Sequence, residues 1–386
     1  MIFKLLELLL SMPSTKLSIL IPSFKRHGRL YRNVLYFEKL AERNAFPNLL
    51  PHLQVVIADG SPTDYQEAAT QPLLSLVRSL SSAIDITYEQ HPDVHFFDRL
   101  LWLSSQASSS LVTLLGDEDL LAFDSIEHII NQFELDASLG SYTGRYVDIH
   151  GFLNNHLKFS LHEGWIDSYS IKANTAKERL RLYRTTKGFG LSPVMYSILR
   201  RDTLCLIADT LSNGRNTFTY IVGEEVINHI QLSAGKLFST SKPFILRDLT
   251  FIGRSTSEDD WSDPPRNLAS KKLLKEVLVD QLSVFNTYAE ADAFFLDSNP
   301  CINSEDEGSS TPLLEYRKVS EWAQPFYSKY LRSQMNPDTY AAASLAWKES
   351  AKIAYPATNI RDLGLGGNKY LSRLRYIKSI LYKAFA

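Results

Sequence analysis

Two aspartates one residue apart, Asp117 and Asp119, are the residues of this sequence best placed to do chemistry. They follow an uncharged apolar run at 111–115, and such a run predicts a buried strand. Carboxylates that end a buried strand lie at an edge of the sheet, where open α/β proteins bind ligands. Because Mg²⁺ takes its oxygen ligands from one or two carboxylates plus substrate phosphates, the acids predict a metal–diphosphate site. A solvated acidic turn that caps the next helix is the alternative interpretation.

The segments that must position these acids alternate between strand and helix patterns. Strands are predicted at 17–24, 53–58, 84–88 and 111–115, and helices at 30–43, 72–80, 96–105 and 124–133. Asp124 is the predicted N-cap of the last of these helices. This alternation predicts right-handed crossovers and a largely parallel sheet in an α/β fold. Further along, strands are predicted at 141–149 and 193–199, short extended segments at 236–238 and 244–246, and helices at 176–183 and 223–232.

Bulk composition excludes several classes of protein. The chain has 386 residues with 44% hydrophobic and 22% charged content, typical of a globular protein of one large domain or two. A net charge of -2 argues against nucleic-acid binding, which needs a strong basic field. The two cysteines, Cys205 and Cys301, are too few for a disulfide framework or a zinc site. No apolar stretch is long enough to predict a transmembrane helix.

Three strand ends carry motifs in a recognisable order. They are Ile19-Leu-Ile-Pro-Ser-Phe-Lys-Arg26, Val55-Val-Ile-Ala-Asp-Gly-Ser-Pro62 and Leu114-Leu-Gly-Asp-Glu-Asp119. These motifs resemble the strand-end motifs of GT-A glycosyltransferases, and they resemble those of family 2 most closely. Their order, spacing and strand context agree with that family over roughly residues 15–250. The resemblance implies a GT-A fold, a mostly parallel sheet with flanking helices. It also implies a UDP- or GDP-sugar donor, Mg²⁺ or Mn²⁺ as cofactor, and inverting transfer.

The resemblance also implies roles for single residues at the strand ends. The implied nucleotide-sugar contacts are Pro22, Ser23, Arg26, Asp59, Ser61, Arg99 and Asp117, and the implied metal ligands are Asp119 and Asp117. Two positions depart from the family pattern, because Lys25 replaces its usual Asn and Ala58 replaces the first acid of its second motif. Asp59 must then make the base contact. The serines and Asp59 also fit ordinary turn chemistry, and both arginines fit solvated surface positions.

The segment Val222-Gly-Glu-Glu-Val-Ile-Asn-His229 resembles the family's Glu-Asp pair, which opens a helix facing the donor sugar. The resemblance implies that Glu225 deprotonates the acceptor hydroxyl as general base and that Glu224 supports it. Help of this kind contributes roughly 10²- to 10⁴-fold to a rate. Acids that only stabilise a helix N-terminus have the same pattern. By residue type alone, the candidates for a third metal ligand are His150, His162 and His229.

Outside a GT-A domain at 15–252, the sequence predicts an N-terminal extension at 1–14 and a mainly helical C-terminal region at 253–386. Helices are predicted at 273–295, 313–332 and 339–354. The polar, acidic stretch at 299–311 predicts a mobile loop. The last segment, 368–386, is a basic amphipathic helix that fits peripheral contact with an anionic membrane, or a helix packed on the domain.

The predicted function is metal-assisted, inverting transfer of a sugar from a nucleotide sugar to a hydroxyl of a glycan or lipid-linked acceptor. We expect it in surface polysaccharide or glycan synthesis, in the cytoplasm or on the inner face of the cell membrane. A nucleotidyltransferase acting on sugar phosphates is one alternative, but it needs a Gly-rich basic loop, and residues 21–30 hold one Gly. A non-catalytic nucleotide- or sugar-binding module is the other.

Overall fold

The computed structural model describes residues 15–153, 156–161, 170–186, 196–248, 264–297 and 331–354. Several predicted features lie outside these residues. They are the extension at 1–14, the loop at 299–311, the basic helix at 368–386, most of the helix at 313–332, and His162.

The first half of the fold is a parallel α/β unit. Its strands are β1 (Leu17–Ser23), β2 (Leu53–Asp59), β3 (Asp85–Gln90) and β4 (Leu111–Leu114), ordered β3-β2-β1-β4 in the sheet. Its helices are α1 (His27–Glu42), α2 (Thr70–Leu80) and α3 (Phe96–Gln106). β1, β2 and β4 are buried along nearly their whole length, which explains their uninterrupted apolar runs. The predicted parallel sheet with flanking helices is confirmed.

The second half extends the same sheet in mixed orientation. It contains β5 (Leu120–Leu121), α4 (Ile126–Leu135), β6 (Leu139–Leu153), β7 (His156–Leu161), α5 (Ala176–Thr186), β8 (Ile198–Arg200), α6 (Arg201–Asn213), α7 (Tyr220–Ala234) and β9 (Lys236–Asp248). The order continues β4-β8-β6-β9-β5, with β7 beside β6. β8 runs antiparallel to both of its neighbours, whereas β9 runs parallel to β6.

Two sequence predictions are corrected here, and three elements, β5, β7 and α6, were not predicted. The extended segments at 236–238 and 244–246 belong to the single strand β9. The helix predicted at 273–295 is two helices, α8 (Pro264–Glu276) and α9 (Tyr288–Asp297), with a π-helical turn at Val277–Gln281 between them. Ser283 has φ 49°, a left-handed conformation that ends a helix, so the chain cannot continue as one.

The last described helix, α10 (Pro337–Ala354), packs on α1 and shares the core of that face of the sheet. Asp124 does not cap α4, which starts at Ile126, so the N-cap prediction is wrong. Its carboxylate instead accepts hydrogen bonds from Asn336 N and, at 2.9 Å, from Thr339 Oγ1. It therefore satisfies backbone and hydroxyl donors at the start of α10. Among the described residues, no helix is long and apolar enough to cross a membrane.

Candidate active site

The ends of β1 and β4 are joined by a cluster of three of the predicted site residues. Ser23 Oγ donates to Asp117 Oδ2 at 2.9 Å, and an Arg26 guanidinium nitrogen donates to Asp117 Oδ1 at 3.2 Å. Both oxygens of Asp117 are therefore engaged within the protein. Burial raises the pKa of Asp117, against the charge of Arg26 and the hydrogen bond from Ser23. Pro22 lies one residue earlier on β1, in register with Ala58 of β2.

Asp119 differs from Asp117 in having a buried and unsatisfied carboxylate. The residue is 1% exposed, and neither carboxylate oxygen has a hydrogen-bond partner within the described part of the chain. Its turn is fixed by Asn33, whose Nδ2 donates to the Asp119 carbonyl at 2.6 Å. Gly116 leaves room for the side chain, since a Cβ there would lie 3.0 Å from Asp119 Oδ2. Burial raises the pKa of Asp119 to about 7, opposed by Arg247 and reinforced by nearby acids.

A divalent cation fits this arrangement. A buried carboxylate with no partner is costly, and a bound cation would supply the missing partner. In the described ranges no cluster of three or more His, Cys, Asp or Glu could hold a metal ion. A hard cation can be held by one or two carboxylates, with the remaining ligands coming from substrate phosphates and water. Asp119 is the residue that would hold it, since Asp117 already accepts from Ser23 and Arg26.

The raised pKa of Asp119 predicts a pH-dependent cost in stability. With a pKa of 3.8 unfolded and about 7 folded, the native state holds the proton more tightly. Wild-type stability should therefore fall as pH rises from about 4 to 7. In metal-free buffer, Asp119→Asn should gain about 2 to 3 kcal/mol over wild type between pH 5 and pH 8. Urea unfolding at both pH values measures it, with exposed Asp202→Asn as control. If the difference in unfolding free energy between Asp119→Asn and wild type is the same at pH 5 and pH 8, the prediction is contradicted.

Asp59 is fully buried and satisfied by the fold itself. Its Oδ1 accepts from Ser61 N at 2.9 Å and Ser61 Oγ at 2.6 Å. Its Oδ2 accepts from Tyr88 OH at 2.6 Å and lies 2.7 Å from His27 Nε2. Burial alone would raise the pKa of Asp59, but these hydrogen bonds prevail and lower it to about 2. Since Asp59 is 0% exposed, its carboxylate shapes the strand end and offers no free oxygen to a nucleotide base in this conformation.

Ser61 connects Asp59 to the loop after β1 through hydrogen bonds. Its Oγ accepts from Lys25 N at 2.8 Å, and Lys25 has φ 54°, in the left-handed region. The hydroxyl thus helps hold a backbone conformation that an L-residue rarely adopts. Ser61 is itself 0% exposed, so it positions Lys25 and the loop that carries Arg26.

Asp59→Asn should destabilise the protein, because the lowered pKa of Asp59 means that the folded state stabilises its charged carboxylate. The drop from 3.8 to about 2 corresponds to about 2 kcal/mol, present above pH 4 and lost as pH falls towards 2. Unsatisfied donors around an amide add to the loss. Urea denaturation at pH 7 measures it. Asp85→Asn, at the exposed start of β3, is the matched control and should change stability by less than about 0.5 kcal/mol. Equal effects of the two variants would refute the role of Asp59.

Arg99, on α3, contacts the ends of β1 and β2. Its guanidinium donates to the Ser23 carbonyl and lies 5.9 Å from the ring centre of Phe24. It also covers Gly60, where a Cβ would come within 2.4 Å of the guanidinium carbon. Gly60 is therefore needed for this close approach. At 5% exposed, Arg99 lies at the predicted nucleotide end of the sheet and is held there by the backbone of β1.

Sequence reasoning missed Arg29 and Arg32 of α1, which continue a row of arginines that begins at Arg26, the residue before the helix. Arg26, Arg29 and Arg32 follow one another at intervals of three, which places them on neighbouring turns of one helix face. Arg26 and Arg29 both donate to the Glu118 carboxylate, Arg26 at 2.9 Å. That threefold spacing beside a predicted strand end was the signal available in the sequence.

Arg32, the third member of this row, reaches residues far away in the sequence. It donates to Asp248 at the end of β9, and its guanidinium carbon lies 3.9 Å from the ring centre of Trp347 on α10. Arg32 is 4% exposed and Asp248 5%. The ion pair therefore ties α1, β9 and α10 together immediately behind the acid turn.

The predicted acids Glu224 and Glu225 lie in the second turn of α7, which begins at Tyr220, so they do not open the helix as predicted. Glu225 has a 25% exposed side chain, and its Oε2 lies 3.7 Å from His229 Nδ1. His229 is 2% exposed and stacks on Phe295 at 5.9 Å, so its ring is held beside Glu225 by packing. The pKa of Tyr196 is raised, first by burial and then by the charges of Asp119 and Glu224 among others.

No family model matches this sequence, and no curated protein is similar to it in sequence. S. aureus TarS is similar in structure, with TM-score 0.46, 11% identity, and coverage of 86% of this chain and 55% of TarS. This chain thus spans about half of TarS. TarS 1-349 in complex with UDP-GlcNAc gives TM-score 0.47, 12% identity, and coverage of 86% and 91%. Mannosyltransferase PcManGT from Pyrobaculum calidifontis, in complex with GDP-Man and Mn²⁺, gives TM-score 0.36, 9% identity, and coverage of 89% and 88%.

These structures resemble this chain in fold alone, at TM-scores below 0.5 and identities of 9–12%. The function proposed below rests on the residues of the site itself.

Proposed function

We propose that this chain is a glycosyltransferase that moves a sugar from a UDP- or GDP-sugar to an acceptor hydroxyl with inversion. One observation carries the proposal, the buried carboxylate of Asp119 without a hydrogen-bond partner among the described residues. It follows a buried parallel strand and adjoins the cluster of Ser23, Arg26 and Asp117. A carboxylate in that position supports cation binding at the edge of a sheet where α/β proteins bind their ligands.

In this proposal Asp119 is the main ligand of a Mg²⁺ or Mn²⁺ ion, with Asp117 beside it. When bound, the cation supplies positive charge against the leaving nucleoside diphosphate. Ser23 and Asp117 face the nucleoside, and Arg26 adds a second positive charge near the diphosphate. Asp59, Ser61 and Arg99 act as positioning residues, because their polar groups hold the β1 and β2 ends in place.

Inversion in one displacement needs a base on the face of the sugar opposite the leaving group. We assign this role to Glu225, whose carboxylate is partly exposed. His229 Nδ1 lies 3.7 Å from that carboxylate and is hydrogen-bonded, at 2.7 Å, to the Glu225 backbone carbonyl. The acceptor hydroxyl gives its proton to the Glu225 carboxylate as its oxygen bonds to the anomeric carbon. The bond from that carbon to the diphosphate oxygen breaks, and the nucleoside diphosphate leaves with the electron pair. Glu224, the neighbouring residue on α7, supports this role.

The acceptor in this proposal is a glycan or lipid-linked hydroxyl in surface polysaccharide or glycan synthesis. The basic amphipathic pattern at 368–386 supports peripheral contact with the inner face of the cell membrane. A lipid-linked acceptor would make such contact useful, because it brings enzyme and acceptor to the same surface.

A panel of UDP- and GDP-sugars tests the proposal, with release of nucleoside diphosphate measured in Mg²⁺, Mn²⁺ or EDTA. Calorimetry with UDP and GDP under the same conditions gives binding separately. We expect one nucleotide to bind in a cation-dependent manner and its sugar donors to be hydrolysed slowly without acceptor. Binding with no turnover of any donor would instead support a non-catalytic module. Pyrophosphate release from a nucleoside triphosphate and a sugar phosphate would support a nucleotidyltransferase.

A further inference from the structure

Arg26 and Arg29 converge on a single carboxylate between the two predicted metal ligands. Glu118 Oε2 accepts from Arg26 at 2.9 Å and also from Arg29. The Arg29 side chain is 7% exposed, whereas those of Arg26 and Glu118 are 19% and 23% exposed. Two guanidinium groups aimed at one oxygen make an anion site, and solvent reaches it from the Glu118 side.

The chemistry of this pair favours phosphate over carboxylate. Guanidinium groups bind phosphate oxygens with charge-assisted hydrogen bonds, often two in parallel. A diphosphate offers more oxygens and more negative charge than the single carboxylate of Glu118. Asp117 is held differently, because Ser23 also donates to it and its side chain is only 6% exposed. Of the two acids bonded to Arg26, Glu118 is therefore the one that can leave.

We propose that Arg26 and Arg29 form the site for the diphosphate group of the donor, and that Glu118 occupies this site until the diphosphate displaces it. The inference rests on the proposed function for the identity of the donor, but the anion site itself does not. Glu118 moves to solvent as the diphosphate enters, so each guanidinium exchanges one anionic acceptor for another. Because part of the population has the site occupied by Glu118, the apparent affinity for the diphosphate is lower than the intrinsic one.

The test is the affinity of the full chain for inorganic pyrophosphate, measured by calorimetry in EDTA at low salt. Removing the internal competitor in Glu118→Gln should tighten pyrophosphate binding about tenfold. Arg29→Gln and Arg26→Gln should each weaken it about tenfold or more, and should reduce its dependence on salt. The gain from Glu118→Gln should disappear in the double variant with Arg29→Gln, because the competitor then has no site to block.

Glu42→Gln is the matched control, since it removes one negative charge from an ion pair at the far end of α1. It should leave pyrophosphate affinity within about twofold of wild type. If Glu118→Gln does no more than Glu42→Gln, the displacement is wrong. If a variant does not fold by circular dichroism, Glu118→Asp replaces it and should tighten binding to a smaller extent, since its shorter carboxylate still carries charge. No tightening in Glu118→Asp would then overturn the inference.

The result separates the inference from the proposed function. Tighter pyrophosphate binding in Glu118→Gln without turnover of any nucleotide sugar would support the anion site and contradict the glycosyltransferase. Turnover of a nucleotide sugar with unchanged pyrophosphate affinity in Glu118→Gln would support the glycosyltransferase and remove Glu118 from the site.

Discussion

Asp119→Asn should lower cation-dependent turnover of the nucleotide sugar by roughly 100-fold or more, since a bound cation contributes several kcal/mol to stabilising leaving-group charge. The substitution keeps the shape of the side chain and removes its charge, so the cation loses its main protein ligand. The fold should persist, because the Asp119 carboxylate has no hydrogen-bond partner to lose within the described residues. Steady-state release of nucleoside diphosphate in Mn²⁺ measures the effect.

Asp202→Asn is the control for Asp119→Asn, since Asp202 is exposed in the first turn of α6 and far along the chain from the acid turn. It should keep wild-type turnover. Turnover of Asp119→Asn within about threefold of wild type at saturating cation would show that Asp119 is a structural residue only, since a lost cation ligand costs far more.

Glu225→Gln should bind the donor as wild type does and lose transfer by roughly 10²- to 10⁴-fold, the contribution expected of a general base. Glutamine keeps the contact with the helix and cannot take a proton from the acceptor. Loss of a general base should lower kcat and leave donor affinity unchanged, whereas loss of a purely structural residue would not separate the two quantities in this way.

Glu224→Gln is the matched variant for Glu225→Gln, one residue away on the same turn of α7. It should reduce turnover less than Glu225→Gln does, because its role is support. Full activity of Glu225→Gln together with inactive Glu224→Gln would exchange the two roles. Full activity of both variants would remove α7 from the chemistry.

The parallel half of the fold was predictable because three of its four strands, β1, β2 and β4, are buried on both faces. Runs such as residues 53–58 and 111–115 contain almost no polar residue, and helices between them keep a helical apolar spacing. Parallel strands bring their carboxyl ends to one edge, so Ser23, Asp59 and Asp117 could be placed together before any distance was known. The register of Ser23 with Asp59 and the 2.9 Å contact from Ser23 to Asp117 agree with that placement.

The partners of these residues were not predictable from local patterns. The ion pair of Arg32 with Asp248 joins positions 216 residues apart, and Trp347 approaches from further still. Asp59 looked like a residue free to meet a base, but its donors come from three separate segments that carry His27, Ser61 and Tyr88. The spacing of apolar residues predicts which face of a helix or strand is buried. It does not predict which side chain, distant in the sequence, pairs with a polar residue.

The irregular elements were missed for a related reason. α6 directly follows a three-residue strand, and the helical spacing of its buried residues Leu204, Ile207, Ala208 and Leu211 was the signal available in the sequence. α8 and α9 were predicted as one helix, but a π-helical turn at Val277–Gln281 and the left-handed backbone of Ser283 lie between them. A hydrophobic pattern does not predict the backbone conformation of a single residue that is neither Gly nor Pro.

Binding of Mn²⁺ tests the central claim most directly. Electron paramagnetic resonance can count protein-bound Mn²⁺ in the presence of UDP and, separately, of GDP. The wild-type chain should bind one Mn²⁺ together with one of the two nucleotides, and Asp119→Asn should lose that complex while remaining folded. Equal Mn²⁺ binding by the two proteins would contradict the assignment of Asp119, and no nucleotide-dependent Mn²⁺ binding by wild type would contradict the proposed cation site altogether.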